Sequence, residues 1–181
     1  MYPLFFKLLK FFKKKKKNDG LLIDKNRQME KQNLMKKKIS PMQSIKGLVT
    51  FEISGQVFCA NIQDITGIIN PEELNQEEKI NSSNPHIELG SVKIPLMDIN
   101  KSFGFAAKDR TENARILIVE VQKKLVGFFV EKVDHVYSID NEMKEKLEFT
   151  ECKKILYLSG ILKYQKTNMF LLDLQSIENK Y

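Results

Sequence analysis

The feature that most constrains the fold is a two-residue periodicity that begins at residue 47. Val49, Phe51 and Ile53 alternate with polar residues, which is typical of a β-strand with one buried face. Ser54-Gly55 follows and predicts a tight turn into a second strand over residues 56–60. From there to the C-terminus, short apolar runs alternate with turn residues. The sequence therefore predicts an all-β body with short helical connectors.

The predicted strands form a weak internal repeat. Each half contains, in order, a hairpin, a third strand, a polar segment and a second hairpin. The two halves end in similar segments, at residues 94–99 and 169–174. Asp98 and Asp173 occupy equivalent positions there and are predicted to cap the turn or helix that follows. We expect two five-stranded barrels side by side, the first over residues 46–100 and the second over residues 114–174. The apolar run at residues 116–121 predicts a strand buried on both faces.

Residues 1–45 form a basic extension ahead of this body. The chain has a net charge of +7, but residues 1–46 alone carry +11 and the remaining residues carry −4. On a helical wheel one side carries Leu4, Phe5, Leu8, Leu9 and Phe12, and the other carries Lys7, Lys10, Lys14 and Lys17. This pattern is typical of a helix on an anionic membrane surface. The candidate membrane-surface residues are Leu4, Phe5, Lys7, Leu8, Lys10 and Phe12.

Two other interpretations of the extension stay open. It is either a solvated, disordered tail, or a segment that is not made, because Met29, Met35 and Met42 are in-frame alternatives to Met1 as the first residue. Residues 18–46 are rich in Lys, Gln and Asn and are predicted to be a linker or a frayed helix that ends at Pro41.

No pattern of catalytic residues is recognisable, so we expect no enzyme activity and no cofactor. Phosphate-loop, dinucleotide, metalloprotease and nucleophile-elbow motifs are absent from the sequence. His86 and His135 have no partners at metal-ligand spacing, and Cys59 and Cys152 stand alone, so no metal site is predicted. The acidic body also argues against specific nucleic-acid binding, since its Phe51, Phe128, Phe129 and Phe170 lie in apolar runs predicted to be core.

Four segments, in this order, resemble the CheW-like adaptors of bacterial chemotaxis. Residues 48–59 resemble the opening hairpin of that family, and residues 92–99 resemble its V-I-P-V-I-D-L segment. Residues 116–136 resemble the pattern of an apolar strand, a turn and V-G-x-x-V-D-x-V-x-x-V, and residues 157–174 resemble the final hairpin. The resemblance covers residues 46–178, nearly the whole body.

The resemblance implies two SH3-like barrels and a non-catalytic scaffold that couples chemoreceptors to a CheA-type histidine kinase. The implied partners are the regulatory domain of the kinase, the cytoplasmic tip of the receptor and other CheW-like domains, at cytoplasmic, membrane-associated arrays. Two versions stay open: a working coupler for a specialised receptor set, or a diverged paralogue with altered receptor contact. The alternative from another class is a basic-tailed small-barrel protein that binds nucleic acid or an anionic membrane surface.

The resemblance also implies partner-binding residues. Ile65 matches the receptor-facing Val of the family's third strand, and Ile68 lies nearby; Val133 and Val136 match apolar positions in the second half. The chain departs from the family at the N-L-R-G segment, where Gly90 takes the position of the Arg and Ser91 that of the Gly. The missing guanidinium removes a charge-assisted contact worth about 1.5–3 kcal/mol.

Overall fold

Eleven strands and three short helices make up the part of the chain that the computed structural model describes, which is residues 44–106, 109–152, 155 and 157–177. The strands are β1 (Gly47–Ile53), β2 (Gln56–Asn61), β3 (Ile65–Ile69), β4 (His86–Leu89), β5 (Val92–Met97), β6 (Arg115–Val121), β7 (Lys124–Val130), β8 (Lys132–Ser138), β9 (Leu147–Glu151), β10 (Leu158–Tyr164) and β11 (Thr167–Leu172). The α-helices are α1 (Glu77–Ile80), α2 (Ile99–Phe103) and α3 (Asn141–Lys146). Single 3₁₀ turns span Ile62–Asp64, Pro71–Leu74 and Leu174–Ser176.

The strands form two curled sheets, and the prediction of an all-β, two-barrel body is confirmed. The six-stranded sheet has the order β8-β1-β2-β11-β10-β9, and the five-stranded sheet has the order β3-β6-β7-β5-β4. Neighbouring strands are antiparallel except for the pairs β2 with β11 and β5 with β7, which are parallel. The sequence predicted five strands in each barrel; the sixth strand of the larger one is β9, which was not predicted.

The sequence predicted one barrel over residues 46–100 and the other over residues 114–174. The two barrels of the structure do not follow this division. The opening hairpins of the two repeats are exchanged: β1 and β2 pair with β8 and β11 of the second repeat. In the same way β6 and β7 pair with β3 and β5 of the first repeat. Each barrel therefore combines strands from both halves of the chain, because the third strand of each repeat crosses to the hairpin of the other.

Three apolar clusters fill the molecule, one inside each barrel and one between the barrels. The cluster between the barrels, here called the central core, contains Val49, Phe51 and Phe58 from the six-stranded sheet and Leu117 and Phe128 from the five-stranded sheet. The aromatic rings stack along it, with Phe51 and Phe58 centroids 6.4 Å apart and Phe58 and Phe103 centroids 5.3 Å apart. The barrels are thus joined by a continuous apolar layer.

This arrangement explains which strands have two buried faces. β6 turns Ile116 and Ile118 into its own barrel and Leu117 and Val119 into the central core, as predicted for residues 116–121. For β1 the prediction of a single buried face was wrong. Leu48 is buried inside the six-stranded barrel, and the buried Thr50 hydroxyl donates to the His135 carbonyl at 3.2 Å and accepts from the His135 N–H at 3.1 Å.

Candidate partner-binding site

The third strands of the two repeats, β3 and β8, lie at equivalent ends of the two sheets. Each strand has an irregularity in its pairing register. In β3 the irregularity falls between Ile65 and Gly67. In β8 it lies opposite Thr50 and Phe51, which belong to the neighbouring strand β1. The extra residue places side chains three positions apart on the same face, instead of two positions apart. Both strands therefore present an i, i+3 pair of apolar residues.

The four apolar residues predicted from the resemblance are these two pairs. Ile65 and Ile68 pair with Val119 and Leu117, and Val133 and Val136 pair with Phe51 and Val49; all four partners belong to the central core. Ile65 and Val133 are half-buried against that core. Ile68 and Val136 face the same side but are 43% and 60% exposed. Each strand thus has one apolar side chain packed and one left in contact with solvent.

A fifth apolar residue, Ile62, belongs to the same surface and was not predicted. It is 39% exposed and lies in the 3₁₀ turn that leads into β3. A Cβ added to Gly47 would come within 2.8 Å of the Ile62 Cγ2 and 3.2 Å of the Tyr137 carbonyl oxygen, so Ile62 lies against the paired ends of β1 and β8. Its signal in the sequence was an isolated apolar residue among polar neighbours. We call Ile62, Ile65, Ile68, Val133 and Val136 the third-strand patch.

Charged side chains lie close in sequence to two residues of the third-strand patch. Asp64 immediately precedes Ile65; burial raises the pKa of its carboxyl group, the Gln175 side chain lowers it through a hydrogen bond, and the Asp173 charge raises it. Beside Val133, Lys132 Nζ lies 2.9 Å from Asp134 Oδ1 and 3.0 Å from Glu52 Oε1. These hydrogen bonds, with that to Asp134 the stronger, raise the pKa of Lys132. The Glu52–Lys132 pair is one position along from the Phe51–Val133 pair, so these charged side chains lie on the opposite face of the strands from Val133.

Gly90 and Ser91 lie apart from these strands, in the two-residue turn between β4 and β5. Both are exposed, and Gly90 has a φ of +59°. No described atom lies within 4 Å of a Cβ built on Gly90, so the space for a side chain exists but the backbone conformation favours glycine. The structure does not show these two residues in contact with the third-strand patch.

This turn predicts different outcomes for arginine at its two positions. Gly90→Arg is expected to lower the free energy of unfolding by about 1–2 kcal/mol, because an L side chain is strained at positive φ. Ser91→Arg, for which no positive φ is recorded among the described residues, is expected to change stability by less than about 0.5 kcal/mol. Urea denaturation of the two variants would measure the difference, and equal stabilities would contradict it.

The remaining polar residues serve structural roles. Asp98 caps α2 by accepting from the Lys101 N–H at 3.1 Å, as predicted, whereas Asp173 makes no such bond among the described residues. Cys59 is buried, and burial raises the pKa of its thiol. Phe129, predicted to be core, is only half-buried: it packs against the apolar cluster of the five-stranded barrel, and the Arg110 guanidinium carbon lies 4.2 Å from its ring centroid. Within the described ranges, no three His, Cys, Asp or Glu side chains are grouped so as to hold a metal ion.

The membrane-surface candidates Leu4, Phe5, Lys7, Leu8, Lys10 and Phe12 lie outside the described residues. Among the helices of the described part of the chain, none is long and apolar enough to cross a membrane.

The fold defines a double-barrel β protein, and the third-strand patch is its candidate docking surface. Comparison with known proteins agrees: the CheW-like domain matches residues 47–180, and the chain belongs to the CheW-like family of chemotaxis scaffold proteins. It is 24% identical over 144 residues to the probable chemotaxis protein CheW of Rhizobium etli, covering 75% of this chain and 88% of that protein. The resemblance of the four segments is thereby confirmed.

The fold is also similar to the crystal structure of the scaffolding protein TtCheW from Thermoanaerobacter tengcongensis. The TM-score is 0.59 at 21% identity, and the match covers 72% of this chain and 90% of that chain. CheW-like proteins are non-catalytic adaptors that work with chemoreceptors and CheA. Nothing in the comparisons or in the described residues favours the nucleic-acid alternative.

Proposed function

We propose that this protein couples chemoreceptors to the regulatory domain of a CheA-type histidine kinase, and that the third-strand patch receives a helix of the receptor tip. One observation carries the proposal. Four large hydrophobic side chains are exposed among the described residues, and three of them, Ile62, Ile68 and Val136, belong to the patch. Exposed apolar residues that cluster mark a docking surface, whereas scattered ones do not.

The shape of the patch suits a helix. Its two i, i+3 pairs stand on either side of the layer between the barrels, and an amphipathic helix presents apolar residues at i, i+3, i+4 and i+7 that fit such a surface. Covering a half-exposed Ile or Val contributes about 1 kcal/mol. The Gly90-Ser91 turn supplies no charge, so this receptor contact depends on the patch rather than on an arginine at the turn. The protein would work at receptor arrays beside other CheW-like domains.

A single substitution in the patch tests this function. Val136→Asp is expected to weaken binding to a receptor-tip fragment at least tenfold, because it places a carboxylate in the apolar contact, and to leave binding to the kinase regulatory domain unchanged. Val92→Asp is the matched control, since Val92 is 47% exposed but lies beside the β4–β5 turn. Isothermal titration of each variant with each partner gives the affinities.

The same titrations separate the two versions of the adaptor. A working coupler binds both partners, whereas a diverged paralogue binds the kinase domain and not the receptor tip. Binding to the kinase domain alone would identify the paralogue and contradict the proposed coupling, as would binding to neither partner. An equal loss in both variants would place the receptor contact elsewhere.

A further inference from the structure

The basic extension joins the body beside the third-strand patch. Ile45 is buried in the six-stranded barrel, and the Lys46 carbonyl accepts from the Ile139 N–H at 2.9 Å, which fixes the chain just ahead of β1. Ile62 lies against Gly47, and Val136 pairs with Val49 two residues further on. The residues that precede Ser44 are therefore tethered at the border of the patch.

The chemistry of the first 17 residues complements this surface. Their apolar positions, Leu4, Phe5, Leu8, Leu9 and Phe12, recur at the spacing of one helix face. The patch offers apolar side chains, and Ile62 packs directly against Gly47 within it. A helix with this face would present its lysines around the apolar contact, as in other helix-in-groove complexes.

The charges match as well. Asp64, which immediately precedes Ile65 of the patch, lies close enough to Asp173 for the charge of Asp173 to raise the pKa of Asp64. Residues 1–46 carry a net charge of +11 and the rest of the chain −4. Opposite charges around an apolar contact fix its orientation and speed its formation.

The tether is long enough for this contact. Residues 18–43 separate the lysine run from the first described residue, and a flexible chain of that length has an end-to-end distance of about 30 Å. A linker in this range gives an effective concentration on the order of millimolar, so even a weak segment would occupy the patch for much of the time.

We propose that residues 4–12 of this chain dock on the third-strand patch and compete there with its external partner. Only the identity of that partner, a receptor helix, rests on the function proposed above. The docked segment then lowers the apparent affinity for the partner, because the partner binds only after it has displaced residues 4–12.

Photo-crosslinking in the full-length protein tests the docking directly. A photoreactive phenylalanine analogue at position 5 is expected to form intramolecular crosslinks to Ile62, Ile65 or Val136, located by mass spectrometry. Val136→Asp should reduce the crosslink yield at least fivefold, and Val92→Asp should not. Crosslinks to other surfaces, crosslinks that join two chains, or yields insensitive to Val136→Asp would each overturn the inference. So would crosslinks that form only with anionic phosphatidylserine vesicles, because the segment would then belong to a membrane surface.

A binding measurement tests the competition. In the full chain, Leu8→Asp is expected to raise the affinity for the receptor-tip fragment three- to tenfold, whereas Leu21→Asp, in the linker, should leave it unchanged. An unchanged affinity in Leu8→Asp would overturn the competition. Crosslinking without receptor binding would refute the proposed function and leave the docking intact. Receptor binding without crosslinking would refute the docking and leave the proposed function intact.

Discussion

Gly160→Ala is expected to lower the free energy of unfolding by at least about 3 kcal/mol, because the added methyl group has no space. A Cβ at this position would overlap the Phe149 ring and come within 2.6 Å of the Thr150 carbonyl oxygen. Thr150 lies opposite Ile161 in the pairing of β9 with β10, so its carbonyl is held by the strand and does not yield as a side chain would. The substitution would therefore push β9 away from the six-stranded sheet.

Gly67→Ala is the matched control. Gly67 also lies within a strand, but the nearest described atom to its added Cβ is the Ile118 Cβ at 4.0 Å, an ordinary contact. We expect its free energy of unfolding to stay within about 0.5 kcal/mol of the unsubstituted protein. Urea denaturation of the two variants side by side gives the comparison. Equal free energies of unfolding in the two variants would contradict the prediction, because they would show that β9 can shift without loss of stability.

Local pattern was enough to place most strands. β2 begins at residue 56, as predicted from the Ser54-Gly55 turn ahead of it, and β6 spans the apolar run at residues 116–121. β9 was missed, although Leu147 and Phe149 alternate with polar residues, because it is only five residues long and follows directly on α3. The isolated apolar residues Ile80 and Phe103 lie in polar segments, and only the tertiary fold shows that they are buried.

The candidate site was only partly predictable for a different reason. Ile65, Ile68, Val133 and Val136 were found through resemblance, and their common orientation depends on two pairing irregularities that no local pattern signals. Ile62 becomes part of the patch only because it lies against Gly47, fifteen residues earlier in the chain. The repeat itself was visible in the sequence, but strand pairing between repeats is set by long-range contacts.

The exchange of hairpins predicts that neither half of the chain folds alone. The first half retains only the isolated hairpins β1–β2 and β4–β5, and the second half retains the β6–β7 hairpin and the three strands β9 to β11. Two-stranded hairpins are at best marginally stable in water, and the central core needs side chains from both halves. Fragments separated between residues 106 and 109 should each lack a cooperative unfolding transition.

Mixing the two fragments should restore that transition, because all four pairs between the halves, β1 with β8, β2 with β11, β3 with β6 and β5 with β7, can form between separate chains. Thermal unfolding followed by circular dichroism measures each fragment and the mixture, and the midpoint of the mixture should rise with concentration, as expected for a bimolecular assembly. A full chain cleaved at the same connection after folding is the control and should keep its native spectrum. Cooperative unfolding of either fragment alone would mean that consecutive strands form a barrel by themselves, contrary to the exchanged pairing.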